Sequence, residues 1–128
     1  MRLLLDTHAF LWFVTDDSQL SKRANEAIVD PQNEILVSPG SYWELAIKVS
    51  LGKYQLNISF EEFVARAVGE NQFRILPIEP SHAAAVARMP FYHRDPFDRL
   101  IIAQALVEQL TVVSRDEAFD AYSVSRLW

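Results

Sequence analysis

The sequence predicts an α/β domain, a three-layer α/β/α sandwich in which a central parallel β-sheet lies between two layers of helices. Three observations predict it. Runs of strand length, Leu3-Leu4-Leu5 and Ile35-Leu36-Val37 above all, are apolar at every position. Such runs suit strands covered on both faces, as in a parallel sheet. Stretches with helical start signals lie between them, and strand–helix alternation is the pattern of a sheet with helices on both sides. Finally, 128 residues, half of them hydrophobic and only three of them glycine, suffice for one domain spanning residues 1–128. Crossovers are expected to be right-handed.

Arg2 to Leu5 is the first strand. Asp6 and Thr7 then stand at its carboxyl end, the edge where open α/β sheets bind ligands. Residues from about Ala9 to Val14 are helical until Asp16-Asp17-Ser18 breaks them, and Ser21 to Asp30 is an amphipathic helix stopped by Pro31. Glu34 to Val37 is the second strand. Ser38 caps the next helix, with Pro39 at its first position and Gly52 closing it. Trp43, Ile47 and Leu51 recur there at helical spacing and are expected to face the core. Tyr54 to Ile58 is extended, and Ser59-Phe60-Glu61-Glu62 is a capping box for a helix to about Glu70. Arg74 to Ile78 is the third strand, and Pro77 puts its end at a sheet edge.

Ser81 to Arg88 is a short helix with His82 on the surface at its start. A buried helix follows from Pro96 to about Gln109, with Asp95 as N-cap and Asp98 in its first turn. Its Leu-Ile-Ile-Ala run is apolar on nearly every side, so it is covered on more than one face. Thr111 to Ser114 is the fourth strand, with Asp116 beyond its end. A turn near Glu117 to Phe119 leads to a weak last strand near Ser123-Val124.

The absence of cysteine excludes a disulfide framework and any Cys-based zinc site, and fits a reducing cytoplasm. The apolar N-terminal stretch is interrupted by Asp6 and His8, so it is not a secretion signal. No run nears the roughly 18 apolar residues of a membrane span, so no membrane role is expected. The formal charge of −5 argues against a nucleic-acid binder, which usually carries a basic footprint. That objection weakens if four of the acids form one metal site, because the remainder is then nearly neutral.

Asp6 and Asp116 each follow an apolar strand, and Glu44 and Asp98 each lie in the first turns of a helix. In a parallel sheet these four positions converge on one edge. Two carboxylates about 4 Å apart repel by roughly 4 kcal/mol at an effective dielectric near 20. A fold keeps such a cluster when a divalent cation offsets it. Oxygen ligands without Cys or a His cluster favour Mg²⁺ or Mn²⁺. Ions held this way suit phosphodiester hydrolysis.

The blocks LLLDTHAFLW, SYWELAIKVSLGK, HRDPFDRLIIAQA and TVVSRDEAF resemble the signatures of PIN-domain ribonucleases, and most nearly those of the VapC-like toxins of toxin–antitoxin pairs. The resemblance covers essentially the whole chain. It implies a PIN-like α/β/α fold, Mg²⁺-dependent endoribonuclease activity on an RNA substrate, a cognate antitoxin as partner, and a homodimer. It puts the family's acidic quartet at Asp6, Glu44, Asp98 and Asp116. Thr7 and Ser114 match the small hydroxyl residues beside the first and last acids. The extra acid Asp95 is a departure; it has the capping job, which leaves Asp98 for the quartet.

Lys48, Arg94, Arg99 and Arg115 lie close to these acids in sequence and are candidates to hold RNA phosphates. Ordinary ion pairing is the competing explanation, and Glu44 and Lys48 form an i,i+4 pair. His8 and His93 lie near the site, where a structural hydrogen bond competes with a catalytic role. Trp12, Phe13, Phe91, Tyr92 and Trp128 are either core or a groove for a partner helix. Rival readings are a catalytically silent PIN-like module and another Mg²⁺-dependent phosphate-handling domain. A receiver-like domain wants paired acids after the first strand and a Lys after the last. A dehalogenase-type enzyme wants D-x-D where this chain has Asp6-Thr7-His8.

Overall fold

A computed structural model describes all 128 residues. The apolar runs become strands β1 (Arg2–Leu5), β2 (Glu34–Val37), β3 (Arg74–Ile75), β4 (Thr111–Val113) and β5 (Arg126–Leu127). They form one sheet in the order β3-β2-β1-β4-β5, every pair parallel. Leu4 of β1 sits between Leu36 of β2 and Val112 of β4. β3 is short and at the edge; Pro77, which has no N–H to donate, lies just beyond it. The last strand lies at Arg126–Leu127, later than the sequence suggests. A 3₁₀ turn over Glu117–Tyr122 precedes it, Ser123 turns the chain through a left-handed φ of 59°, and Val124 packs into the core.

Side chains alternate across β1. Leu3 and Leu5 face one helical layer, with α1 (Thr7–Val14), α2 (Lys22–Val29), Leu45 of α3 (Pro39–Ser50) and Phe63 of α4 (Phe60–Ala65). α4 continues as a wider π turn over Arg66–Glu70. Leu4 faces the other layer, with α5 (Pro80–Arg88) and α6 (Pro96–Glu108). All three leucines are fully buried, and each contributes roughly 2 kcal/mol by leaving water. The result is the three-layer α/β/α sandwich expected.

Three features depart from the sequence reading. Trp43, Ile47 and Leu51 are exposed, and α3 instead buries Gly40, Ser41, Glu44 and Leu45. Helical spacing marks a stripe but not which way it faces. His82 is fully buried rather than superficial: its Nδ1 accepts the Glu79 backbone N–H at 2.9 Å, and its Nε2 meets Glu108 Oε1 at 2.9 Å. It therefore ties the start of α5 to the end of α6. Trp12, Phe13 and Trp128 pack in or against the core, leaving only Phe91 and Tyr92 of those five aromatics exposed.

Candidate active site

The topology itself selects a place. From β1 the chain steps outward to β2 and β3, then returns to the other side of β1 for β4 and β5. The direction reverses between β1 and β4, and ligands in open α/β sheets bind at the carboxyl edge of such a switch point. Asp6 follows β1 and Asp116 lies just beyond β4. The Asp6 N–H donates to the Val113 carbonyl at 3.1 Å, so the two strand ends are tied together.

Each acid is held by local structure. Asp6 is the N-cap of α1, its Oδ1 accepting the Ala9 N–H at 2.8 Å. The buried Ser114 hydroxyl beside it favours its charged form. Ser114 Oγ accepts the Asp116 N–H at 3.0 Å. Asp116 caps the following 3₁₀ turn through the Ala118 N–H. Glu44 is buried, and Lys48 Nζ stands 2.7 Å from its Oε2. Thr7 is buried and donates to Ser41 at 3.3 Å, joining the first turns of α1 and α3. Sequence reasoning missed Ser41, because a serine inside a helix carries no distinguishing signal.

α3 and α6 meet at Gly40. A Cβ there would stand 2.7 Å from Leu100 Cδ2, so glycine permits the approach that brings Glu44 near the mouth of α6. Asp95 caps α6, accepting the Phe97 and Asp98 N–H groups. Asp98, one turn in, is three-quarters buried, and His93 Nε2 lies 3.6 Å from its Oδ2. His93 is aimed by Tyr122, whose hydroxyl is 2.8 Å from Nδ1.

The electrostatics show that these groups share one field. Burial pushes the Asp98 carboxyl up to about 7, with further contributions from the negative charges of Asp95, Asp6, Glu44 and Asp116. Burial also raises Asp6, against the lowering effects of Ser114, the Ala9 N–H and His8. Desolvation pulls the Lys48 ammonium down, but the hydrogen bond and charge of Glu44, together with Tyr54 and Asp95, more than reverse this and leave it raised. No three of the acids and histidines close on one point in ligand geometry; mutually repelling carboxylates favour such spreading. The donor set is nonetheless all carboxylate and hydroxyl, the chemistry that Mg²⁺ or Mn²⁺ takes.

The candidate phosphate contacts separate. Arg94 and Arg115 are exposed. Arg99, by contrast, is buried, and its guanidinium donates to the carbonyls of Pro90, Val86 and Met89 at 2.8 to 3.2 Å. It binds the loop before α6 to the end of α5, and its charge is spent on three carbonyls.

The sequence pattern of the PIN domain matches residues 3–124. The chain belongs to the PIN-domain family. This PIN domain is 31% identical over 115 residues to Ribonuclease VapC22 of Mycobacterium tuberculosis, covering 89% of this chain and 86% of that one. Its structure superposes on VapBC2 from Rickettsia felis, crystallised with a promoter DNA fragment, with a TM-score of 0.74 and 14% identity over 99% of this chain and 98% of that one. VapBC-5 from Mycobacterium tuberculosis, a member of the VapBC family of toxin–antitoxin systems, gives 0.62 and 20% over 98% and 97%. At these identities the two structural likenesses are likenesses of fold. No helix of this PIN domain is long and apolar enough to cross a membrane.

Proposed function

We propose that this PIN domain is a metal-dependent endoribonuclease and the toxin of a toxin–antitoxin pair, acting in the cytoplasm. The observation that carries the reading is the field at Asp98. One carboxyl at the sheet's switch point is raised to about 7 by burial and by four neighbouring acids. Stability alone gives no reason to gather these charges. Asp6, Glu44, Asp98 and Asp116 are the residues that would hold Mg²⁺ or Mn²⁺, with Asp95 reserved for the cap. Such an ion supplies Lewis acidity and an activated water for phosphodiester hydrolysis.

The chain's own groups prepare the site. Lys48 orients Glu44, and Ser114 favours the charged form of Asp6 and accepts the Asp116 N–H. Thr7 and Ser41 join the helices that carry Asp6 and Glu44. Arg94 and Arg115 are the exposed cations available to RNA phosphates. The relation to VapC ribonucleases supports RNA as substrate and an antitoxin as partner. The exposed face of α3 supports the partner independently: Trp43, Ala46 and Ile47 with Tyr42 and Phe60 line an apolar hollow of about 370 Å³, a groove suited to an amphipathic helix. A homodimer completes the proposal, and sedimentation of the purified chain tests it.

Activity is tested directly. The purified protein should cut RNA internally with Mg²⁺ or Mn²⁺ and be silent in EDTA. Asp6→Asn, Glu44→Gln, Asp98→Asn and Asp116→Asn should each lower the rate strongly. Full activity in Asp98→Asn would overturn the assignment.

A further inference from the structure

Beside the acids lies a pocket of which the reaction as proposed uses only Arg115. It has a volume of about 430 Å³ and its lining includes His8, Trp12, Gln19, Tyr54, Gln55 and Arg115, a size typical of small-ligand sites. Part of its wall is planar, and Leu11, Leu56 and Asp17 line it as well. His8 stacks on the Trp12 indole at 5.2 Å and 28°, and the Arg115 guanidinium lies over the same indole at 4.6 Å. Tyr54 Oη stands 3.4 Å from His8 Nε2. The exposed amides of Gln19 and Gln55 stand at the same pocket.

The pocket is joined to the acid site through three of its walls. His8 is two residues from Asp6. Arg115 lies between Ser114 and Asp116. Lys48, the partner of Glu44, sits 5.5 Å over the Tyr54 ring. A strand with its phosphate at the acids therefore has a neighbouring nucleotide within reach of this pocket.

We propose that the pocket takes one unpaired nucleobase of the RNA, beside the phosphate that is cut, and so helps choose where the strand is cut. The inference rests on the ribonuclease reading. Single-stranded RNA is held by stacking of splayed bases on aromatic and guanidinium planes and by hydrogen bonds to their edges. Tyr54 and His8 supply ring surface, Arg115 supplies charge beside the phosphate, and the two amides supply donors and acceptors. A protein partner's apolar side chain would leave the amides and Arg115 unmatched, whereas a base matches them.

The test is kcat/KM with Mg²⁺ for an unstructured RNA and for versions carrying one abasic nucleotide at each position flanking the cut. One abasic position should cost wild type roughly tenfold. Tyr54→Ala should lose about the same on intact RNA and nothing further on that abasic strand, while Tyr54→Phe keeps the wild-type response. Gln55→Ala, at an exposed position that does not threaten folding, should change the base preferred there. If wild type cuts RNA but ignores every flanking abasic site, or if the Tyr54→Ala and abasic losses multiply, the pocket does not hold a base. If Tyr54→Ala and Gln55→Ala cut with the wild-type pattern and lose only the antitoxin complex, it is a protein site. If wild type with Mg²⁺ cuts no RNA, the ribonuclease reading falls first and this inference with it.

Discussion

Asp95 Oδ1 accepts the backbone N–H groups of both Phe97 and Asp98, at 2.9 and 3.0 Å, and so leaves the Asp98 side chain free of capping work. Two acids three residues apart thus carry separable jobs. Asp95→Ala removes an N-cap and should cost about 1 kcal/mol, seen as a melting point lower by roughly 4 °C, while cleavage continues. Asp98→Asn should do the reverse, leaving the melting point at or above wild type and abolishing cleavage. Melting curves and RNA cleavage on both variants check this. A dead Asp95→Ala beside an active Asp98→Asn would exchange the two roles.

The raised Asp98 carboxyl makes a pH prediction with a definite sign. Its value in the folded state is about 7, against about 3.9 when unfolded. Between these values the folded state binds the extra proton. The stability linked to that proton is therefore fully present below about pH 4 and is lost as pH rises through about 7. After allowing for solvent screening the loss is on the order of 2 kcal/mol. In EDTA, wild type minus Asp98→Asn should fall in stability from pH 5 to pH 8. Mg²⁺ should reduce the fall, because binding to the ionised quartet stabilises the folded state by mass action. A difference flat across this range would show that Asp98 is ionised throughout.

Arg99 should behave as a structural residue. Its guanidinium meets three backbone carbonyls and lies 4.1 Å from the Phe91 ring. Arg99→Ala leaves those acceptors without partners and opens a cavity at the α5–α6 junction, at a cost of roughly 3 kcal/mol. The variant should melt well below wild type, yet its KM for RNA at a temperature where it is folded should be unchanged. A raised KM with an unchanged melting point would return Arg99 to the substrate.

The sheet was legible because a strand covered on both faces must be apolar at every position, as Leu3 to Leu5 and Ile35 to Val37 are. The caps at Ser38, Ser59 and Asp95 were legible because capping is a local matter. What the sequence hid depends on distant partners. His82 looks like a surface residue until Glu108, 26 residues on, covers it. Arg99 looks like a phosphate contact until the α5–α6 loop folds its carbonyls onto it. That Asp6 and Asp116 follow neighbouring strands was legible from topology alone. The pocket behind His8 was not, since Trp12, Tyr54 and Arg115 lie far apart in the chain.

The exposed stripe on α3 gives the last prediction. Trp43 keeps 65% of its surface in contact with solvent and Leu51 64%, an unusual arrangement for side chains this large. Exposed apolar groups clustered around a hollow mark an interaction site more often than chance. Removing an exposed side chain changes stability by only about 0.5 kcal/mol, so Trp43→Ser should melt close to wild type. Tryptophan at the centre of an interface typically contributes about 2 kcal/mol or more, roughly a thirtyfold change in Kd. Trp43→Ser should therefore release a co-expressed antitoxin on dilution under conditions where wild type holds it, as read by size-exclusion chromatography and calorimetry. An unchanged Kd would place the antitoxin elsewhere and leave Trp43, Ile47 and Leu51 for a second copy of the chain, in which case Trp43→Ser should weaken self-association instead.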